Sequence, residues 1–85
     1  MARKAVELTG KVAVITGGAR GIGAATARAL SRQGVKVAIG DLDLDLTERT
    51  AKDIGDVLAL RLDVTDAAGY TAFLDAVEGA LGPID

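Results

Sequence analysis

Apolar and polar positions change their spacing repeatedly along this chain. Lys11–Thr16, "KVAVIT", is a short apolar run bounded by Gly10 and Gly17, the pattern of a strand buried on both faces. From Gly21 the period becomes helical: Ile22, Ala25, Ala29 and Leu30 fall on one face, and Gly34 closes the helix. Val35–Gly40 repeats the strand pattern. Asp45 and Glu48 have capping-box spacing with Asp45 as the cap, which predicts a helix to about Ile54 that stops at Gly55. Val57–Leu62 reads as a third strand. Tyr70, Phe73, Leu74, Val77 and Leu81 then fall at i, i+3, i+4, i+7 and i+11, an amphipathic helix that ends at Gly82-Pro83. Ile84 reads as the first residue of a fourth strand.

Strands alternating with helices imply parallel strands joined by crossovers, an α/β fold with a doubly wound, Rossmann-type parallel sheet. In the common order 3-2-1-4-5-6 the first strand lies mid-sheet and needs the fourth beside it. The chain stops where the fourth begins, so "VAVI" is expected to be an exposed apolar edge, of the kind natural proteins avoid. Residues 1–85 therefore read as a truncated front half of one domain, without repeat or internal linker.

Composition narrows the chemistry. The chain is 49% hydrophobic, with one Phe, one Tyr and no Trp, so small aliphatic side chains do the packing. Without Cys there is no disulfide or thiolate metal site, and without His no zinc site or imidazole acid–base pair. Net charge is −2 and the only basic block is Arg3-Lys4, so nucleic acid is not an expected partner. The N-terminal "MARKAVELTG" lacks a signal-peptide core and no membrane-length run follows, so a soluble, cytoplasmic chain with no membrane partner is expected.

Candidate chemistry starts at "TGGARGIG", Thr16–Gly23, between the first strand and first helix. Glycines allow the turn and let the main chain approach a ligand closely. Free N–H groups at the start of the helix over Ala24–Arg32, with its dipole, suit an anion such as a dinucleotide pyrophosphate. The fingerprint G-x-G-x-x-G/A would place Thr26 at its last position, which does not match. A Walker-type loop needs Gly-Lys-Ser/Thr, and "GIGAAT" lacks it. The spacing present is T-G-x-x-x-G-x-G. A tight turn that binds nothing is the competing reading.

"TGKVAVITGGARGIGAATARAL", "DLD" after the second strand and "LDVTD" after the third resemble the start of a short-chain dehydrogenase/reductase, an NAD(P)-dependent oxidoreductase family. The resemblance implies that Gly17, Gly21, Ile22 and Gly23 line the pyrophosphate and nicotinamide side of the cofactor. It also implies that Asp63 and Val64 are the adenine-contacting pair. Asp63 has an alternative role in starting the next helix, although Thr65 is the better cap.

"DLDLD" offers three carboxylates after the second strand. Asp41, Asp43 and Asp45 lie 18, 20 and 22 residues beyond Gly23, so distance to the dinucleotide acid does not choose among them. Asp41 is expected first after the strand, where it can accept from both adenosine-ribose hydroxyls. Asp45 is assigned to the helix cap and Asp43 to a solvated loop. An EF-hand reading fails, since Leu46 stands where Gly is needed and Lys52 where Glu is needed. A 2′-phosphate about 4 Å from Asp41 would cost on the order of 4 kcal/mol per charge pair at a surface-like dielectric. Ribose hydroxyls would instead gain roughly 1.5–3 kcal/mol each. Arg20 favours NADP by the resemblance, because NADP-using members often carry a basic residue there. Leu42 stands where many of them have a second cation. NAD is therefore the expected cofactor, with NADP second.

The resemblance also implies a catalytic Tyr-x-x-x-Lys pair with a Ser and an Asn beyond the fourth strand. Tyr70, the single tyrosine, is followed four residues on by Leu74 and belongs to a core face; Ser31, the single serine, lies late in the first helix. No catalytic residue is expected in these 85 residues. The implied whole protein transfers hydride between NAD and an alcohol or ketone, as a homo-oligomer. An adenosylmethionine-dependent methyltransferase and a non-catalytic nucleotide-binding module stay open as alternatives.

Overall fold

A computed structural model describes residues 8–85. The elements run β1 (Val12–Thr16), α1 (Gly21–Arg32), β2 (Lys36–Asp41), α2 (Leu44–Ile54), β3 (Val57–Arg61) and α3 (Ala67–Leu81). Both strand pairs are parallel and the order is β1-β2-β3, with Val12 opposite Lys36, Val37 opposite Val57 and Asp41 opposite Arg61. The alternating pattern therefore yields the expected doubly wound, Rossmann-like sheet, with β1 on an edge.

Alternation along β2 divides the core in two, because successive side chains point to opposite faces. Val37 and Ile39, fully buried, meet Ala27 of α1 and Ala51 of α2 on one side. Ala38 faces the other side, where Phe73 and Val77 of α3 pack with Val12 and Leu62. Tyr70, Leu74 and Leu81 lie against that second cluster, as the periodicity predicts. The Tyr70 and Phe73 rings are tilted, with centroids 6.4 Å apart. Small residues on this face of β2 make room for the ring: a Cβ at Gly40 would sit 2.7 Å from the Phe73 edge.

Several boundaries differ from the sequence reading. Helix α1 begins at Gly21 rather than Ala24, and its inward residue is Ala27, while Ile22, Ala25 and Ala29 face outward. The rotation is set where α1 leaves the loop: Gly23 lies so near Gly17 that an added Cβ would be 2.5 Å from the Gly17 carbonyl oxygen. Strand β2 runs over Lys36–Asp41, so Asp41 is its last residue rather than the first beyond it. Pairing explains this, since the Asp41 carbonyl accepts from the Leu62 N–H at 2.9 Å.

Asp43, not Asp45, caps α2, its Oδ1 accepting from the Leu46 N–H at 3.1 Å. Asp45 sits in the first helical turn, where a carboxylate favours the positive end of the helix dipole. Thr65 is likewise not the cap of α3; Asp66 is, accepting from Gly69 N–H at 3.1 Å.

No fourth strand forms at Ile84. Ile84 instead packs against the α3-side core. Asp85 closes the start of the β1 edge: its carboxylate accepts from Val12 N–H at 2.8 Å, and its own N–H donates to the Val12 carbonyl at 3.1 Å.

Candidate functional site

The carboxyl ends of all three parallel strands open on the same side, and the glycine loop joins β1 to α1 there. Gly17 and Gly21 both adopt positive φ, +67° and +60°, with nothing within 4 Å of an added Cβ. At these positions glycine supplies left-handed backbone and leaves open space beside the main chain. Gly18 and Gly23 are glycine for the opposite reason. A Cβ on Gly18 would lie 2.7 Å from Ile39, and one on Gly23 would strike the loop itself. The loop is tied to the sheet by a 2.7 Å bond from Gly17 N–H to the Gly40 carbonyl.

Arg20 is the residue before α1, in an extended conformation, and no side chain caps the helix. There is also no acidic residue in its first turn. An α-helix leaves its first N–H groups without intrahelical partners. Here those donors stand uncapped beside two unhindered glycines, an arrangement that suits an anion.

A cleft of about 140 Å³ continues from this loop, lined by Gly17, Gly40, Asp41, Leu42, Leu62 and Val64. Three large apolar side chains flank this end of the sheet in solvent: Ile22 at 87% exposure, Val64 at 62% and Leu42 at 57%. Exposed apolar groups clustered around a cleft are the usual mark of a binding surface. Asp41, half-buried, makes no side-chain hydrogen bond or ion pair among the described residues, so both carboxylate oxygens remain available. Backbone N–H donors at one end and a carboxylate acceptor at the other, with apolar walls between, suit a ligand that carries both an anionic group and hydroxyl donors.

Asp63 lies two residues beyond β3, its carboxylate turned onto its own loop. Its Oδ1 accepts from the Thr65 hydroxyl at 2.6 Å and from the Thr65 N–H at 2.9 Å. These two bonds, the hydroxyl first, hold the Asp63 carboxyl below the usual carboxylate range; partial desolvation opposes them and Arg61 adds a smaller attraction. Asp63 thus shapes the 63–66 turn, while Val64 projects from it.

The structure brings Gly17, Asp41, Leu42 and Val64 onto one cleft, with Arg20, Gly21, Ile22 and Gly23 at the adjoining helix start and Asp63 behind Val64. Sequence reasoning passed over Gly40 and Leu62, which also line the cleft. The signal at Gly40 was a glycine inside an otherwise bulky strand, which marks close approach by another group. A larger open groove of about 1000 Å³ runs along the outer edge of β3, between Leu44, Glu48 and Lys52 on one side and Leu81 on the other. It shares no residue with the loop. No group of His, Cys, Asp or Glu that could hold a metal occurs among the described residues. No helix among them is long and apolar enough to cross a membrane.

Comparison with known proteins fits this geometry. A 2,5-dichloro-2,5-cyclohexadiene-1,4-diol dehydrogenase of Sphingobium indicum is 47% identical over 79 residues, 88% of this chain and 32% of that protein. Galactitol 2-dehydrogenase of Agrobacterium fabrum is 44% identical over 81 residues, 94% of this chain and 32% of its own length. An NADP-dependent (R)-specific alcohol dehydrogenase of Lentilactobacillus kefiri is 42% identical over 80 residues, 91% and 32%. A solved short-chain dehydrogenase structure from Novosphingobium aromaticivorans superposes with a TM-score of 0.85 at 36% identity, covering 92% of this chain and 30% of that one. The chain spans about a third of the length of these relatives. Residues 11–85 match the sequence model described as short chain dehydrogenase, so that β1, the glycine loop and everything that follows fall inside the match. The chain belongs to the short chain dehydrogenase family.

Proposed function

We propose that residues 1–85 form the N-terminal half of a dinucleotide-binding domain, in a cytoplasmic, homo-oligomeric oxidoreductase that moves hydride between NAD and an alcohol or ketone. The observation that carries this reading is the continuity of the uncapped α1 start with the cleft that ends at Asp41. Gly17, Gly21, Ile22 and Gly23 offer main-chain donors and open space to the pyrophosphate. Asp41 accepts from the adenosine-ribose hydroxyls, Leu42 and Val64 flank the adenine, and Asp63 sets the turn that carries Val64. Arg20 stands at the mouth and lends positive charge to the phosphate side. The nicotinamide, when bound, supplies or accepts the hydride; these residues bind and orient it. The Tyr-x-x-x-Lys pair that the family uses is absent from these 85 residues.

NAD rather than NADP follows from the carboxylate. Asp41 has no cation paired to it among the described residues, so a 2′-phosphate placed there meets a negative charge that none of them neutralises. One relative is named as NADP-dependent, at 42% identity; the preference proposed here rests on Asp41 alone. The family match lends nothing to the methyltransferase alternative.

Calorimetric titration with NAD, NADP and adenosylmethionine tests the proposal. NAD is expected to bind about tenfold tighter than NADP, with the gap closing in Asp41→Ala, since partial solvent screening reduces the full Coulomb cost. Equal or tighter binding of NADP would overturn the cofactor assignment. Binding of adenosylmethionine without NAD would overturn the proposed function.

A further inference from the structure

Threonines inside helices ordinarily return their hydroxyl to the carbonyl one turn back. Thr26, Thr47 and Thr71 do so, donating to Ile22, Asp43 and Ala67. Thr50, in the middle of α2, does not. Its hydroxyl leaves the helix and donates to the Ala19 carbonyl, 31 residues away in the glycine loop, at 2.6 Å.

The acceptor lies between Gly17 and Gly21, both at positive φ with nothing near an added Cβ, and directly after Gly18, which packs closely on Ile39. Ala19 itself is buried, 3% exposed. Turning its carbonyl away from α2 would leave a buried acceptor without this donor. The Ala19–Arg20 peptide is trans. Fixing the Ala19 carbonyl therefore also fixes the plane of the Ala19–Arg20 peptide, with the Arg20 N–H opposed to that carbonyl. Helix α1 starts at the next residue.

We infer that Thr50 is a positioning residue for the cofactor: its hydroxyl locks the Ala19–Arg20 peptide and so sets the direction of the Gly21–Gly23 amides that receive the pyrophosphate. The inference rests on the proposed function for its ligand, but the locking of the loop is a property of the free protein. It gives α2, which lies outside the cleft, a part in anion binding.

The test compares wild type with Thr50→Val, which keeps the shape and removes the donor, and Thr50→Ser, which keeps the donor. Two readouts are taken on each purified protein: backbone 15N order parameters by NMR without ligand, and affinity for NAD relative to adenosine. In Thr50→Val, order parameters at residues 19–23 are expected to fall while that of Ile39 in β2 stays at the rigid value. NAD affinity is expected to fall about fivefold, the effect of one neutral hydrogen bond, with adenosine affinity unchanged. Thr50→Ser restores both. If Thr50→Val fails to fold, Thr50→Ala removes the same hydroxyl and gives the same readings. Wild-type loop order parameters in Thr50→Val, or a parallel loss of NAD and adenosine binding with loosening at Ile39, would overturn the inference. Lower loop order in Thr50→Val of a protein whose wild type binds no NAD would overturn the proposed function and leave the loop lock standing.

Discussion

Gly23 and Gly79 both lie within helices, and only at Gly79 should the same substitution stabilise the protein. Replacing glycine by alanine in a helix interior gains about 1 kcal/mol from reduced backbone entropy in the unfolded chain and better helix propensity. Gly79 is exposed in α3 with nothing within 4 Å of an added Cβ, so Gly79→Ala should show this gain undiminished. At Gly23 the new Cβ would sit 2.5 Å from the Gly17 carbonyl oxygen and 3.0 Å from the Gly18 Cα. Ordinary carbon contacts are about 3.5–4 Å, and the opposing atoms are backbone, which cannot rotate aside. Moving α1 off the loop costs about 1–3 kcal/mol by the precedent of overpacked interiors. Gly23→Ala should therefore be neutral to about 2 kcal/mol destabilising, and the two variants should differ by the steric cost alone. Urea denaturation followed by circular dichroism, with unchanged m-values, measures both shifts in midpoint. Equal stabilisation by the two substitutions would show that α1 does not approach the loop as described.

Asp43→Ala should cost about 1 kcal/mol through loss of the α2 cap, against at most about 0.5 kcal/mol for Asp45→Ala, in the same denaturation assay. Gly40→Ala, which drives a methyl group into the Phe73 ring, should destabilise by about 1–3 kcal/mol, and Phe73→Leu in the same chain should recover part of that loss. An NMR titration of the Asp63 carboxyl should give a midpoint below that of an ordinary aspartate, and Thr65→Val should move it upward. Because the folded form holds this proton more weakly than the unfolded chain, its stabilisation is complete above the unfolded value and fades as pH falls below about 4. The difference in unfolding midpoint between wild type and Thr65→Val should shrink across that window.

Fold class was legible because the apolar pattern changes period cleanly at each element, and the α3 face was legible because Tyr70 to Leu81 keep one strict helical spacing. The rotation of α1 was not. Ile22, Ala25, Ala29, Ala24 and Ala27 leave apolar residues on more than one side of that helix, and what decides is the contact between Gly23 and Gly17, which spacing does not reveal. Cap identity failed for a local reason: three aspartates alternate in "DLDLD", and the end of β2 is set by the pairing of Asp41 with Leu62, so the helix starts earlier than the capping-box spacing suggests. Asp41 was legible as a cleft residue because strand ends in a parallel sheet gather on one side, whereas Val64 was legible only through the resemblance of "LDVTD" to the family. The bond from Thr50 to Ala19 was invisible because a helical threonine has a nearer default partner.

Amide chemical-shift mapping of the protein during titration with NAD separates the glycine-loop cleft from the rest of the surface. The largest shifts should fall on Gly17 and Gly21–Gly23, with a second group at Asp41–Leu42 and Asp63–Val64, while amides along the outer edge of β3 stay in place. Shifts concentrated on that outer edge, or none at saturating NAD, would contradict this placement of the site.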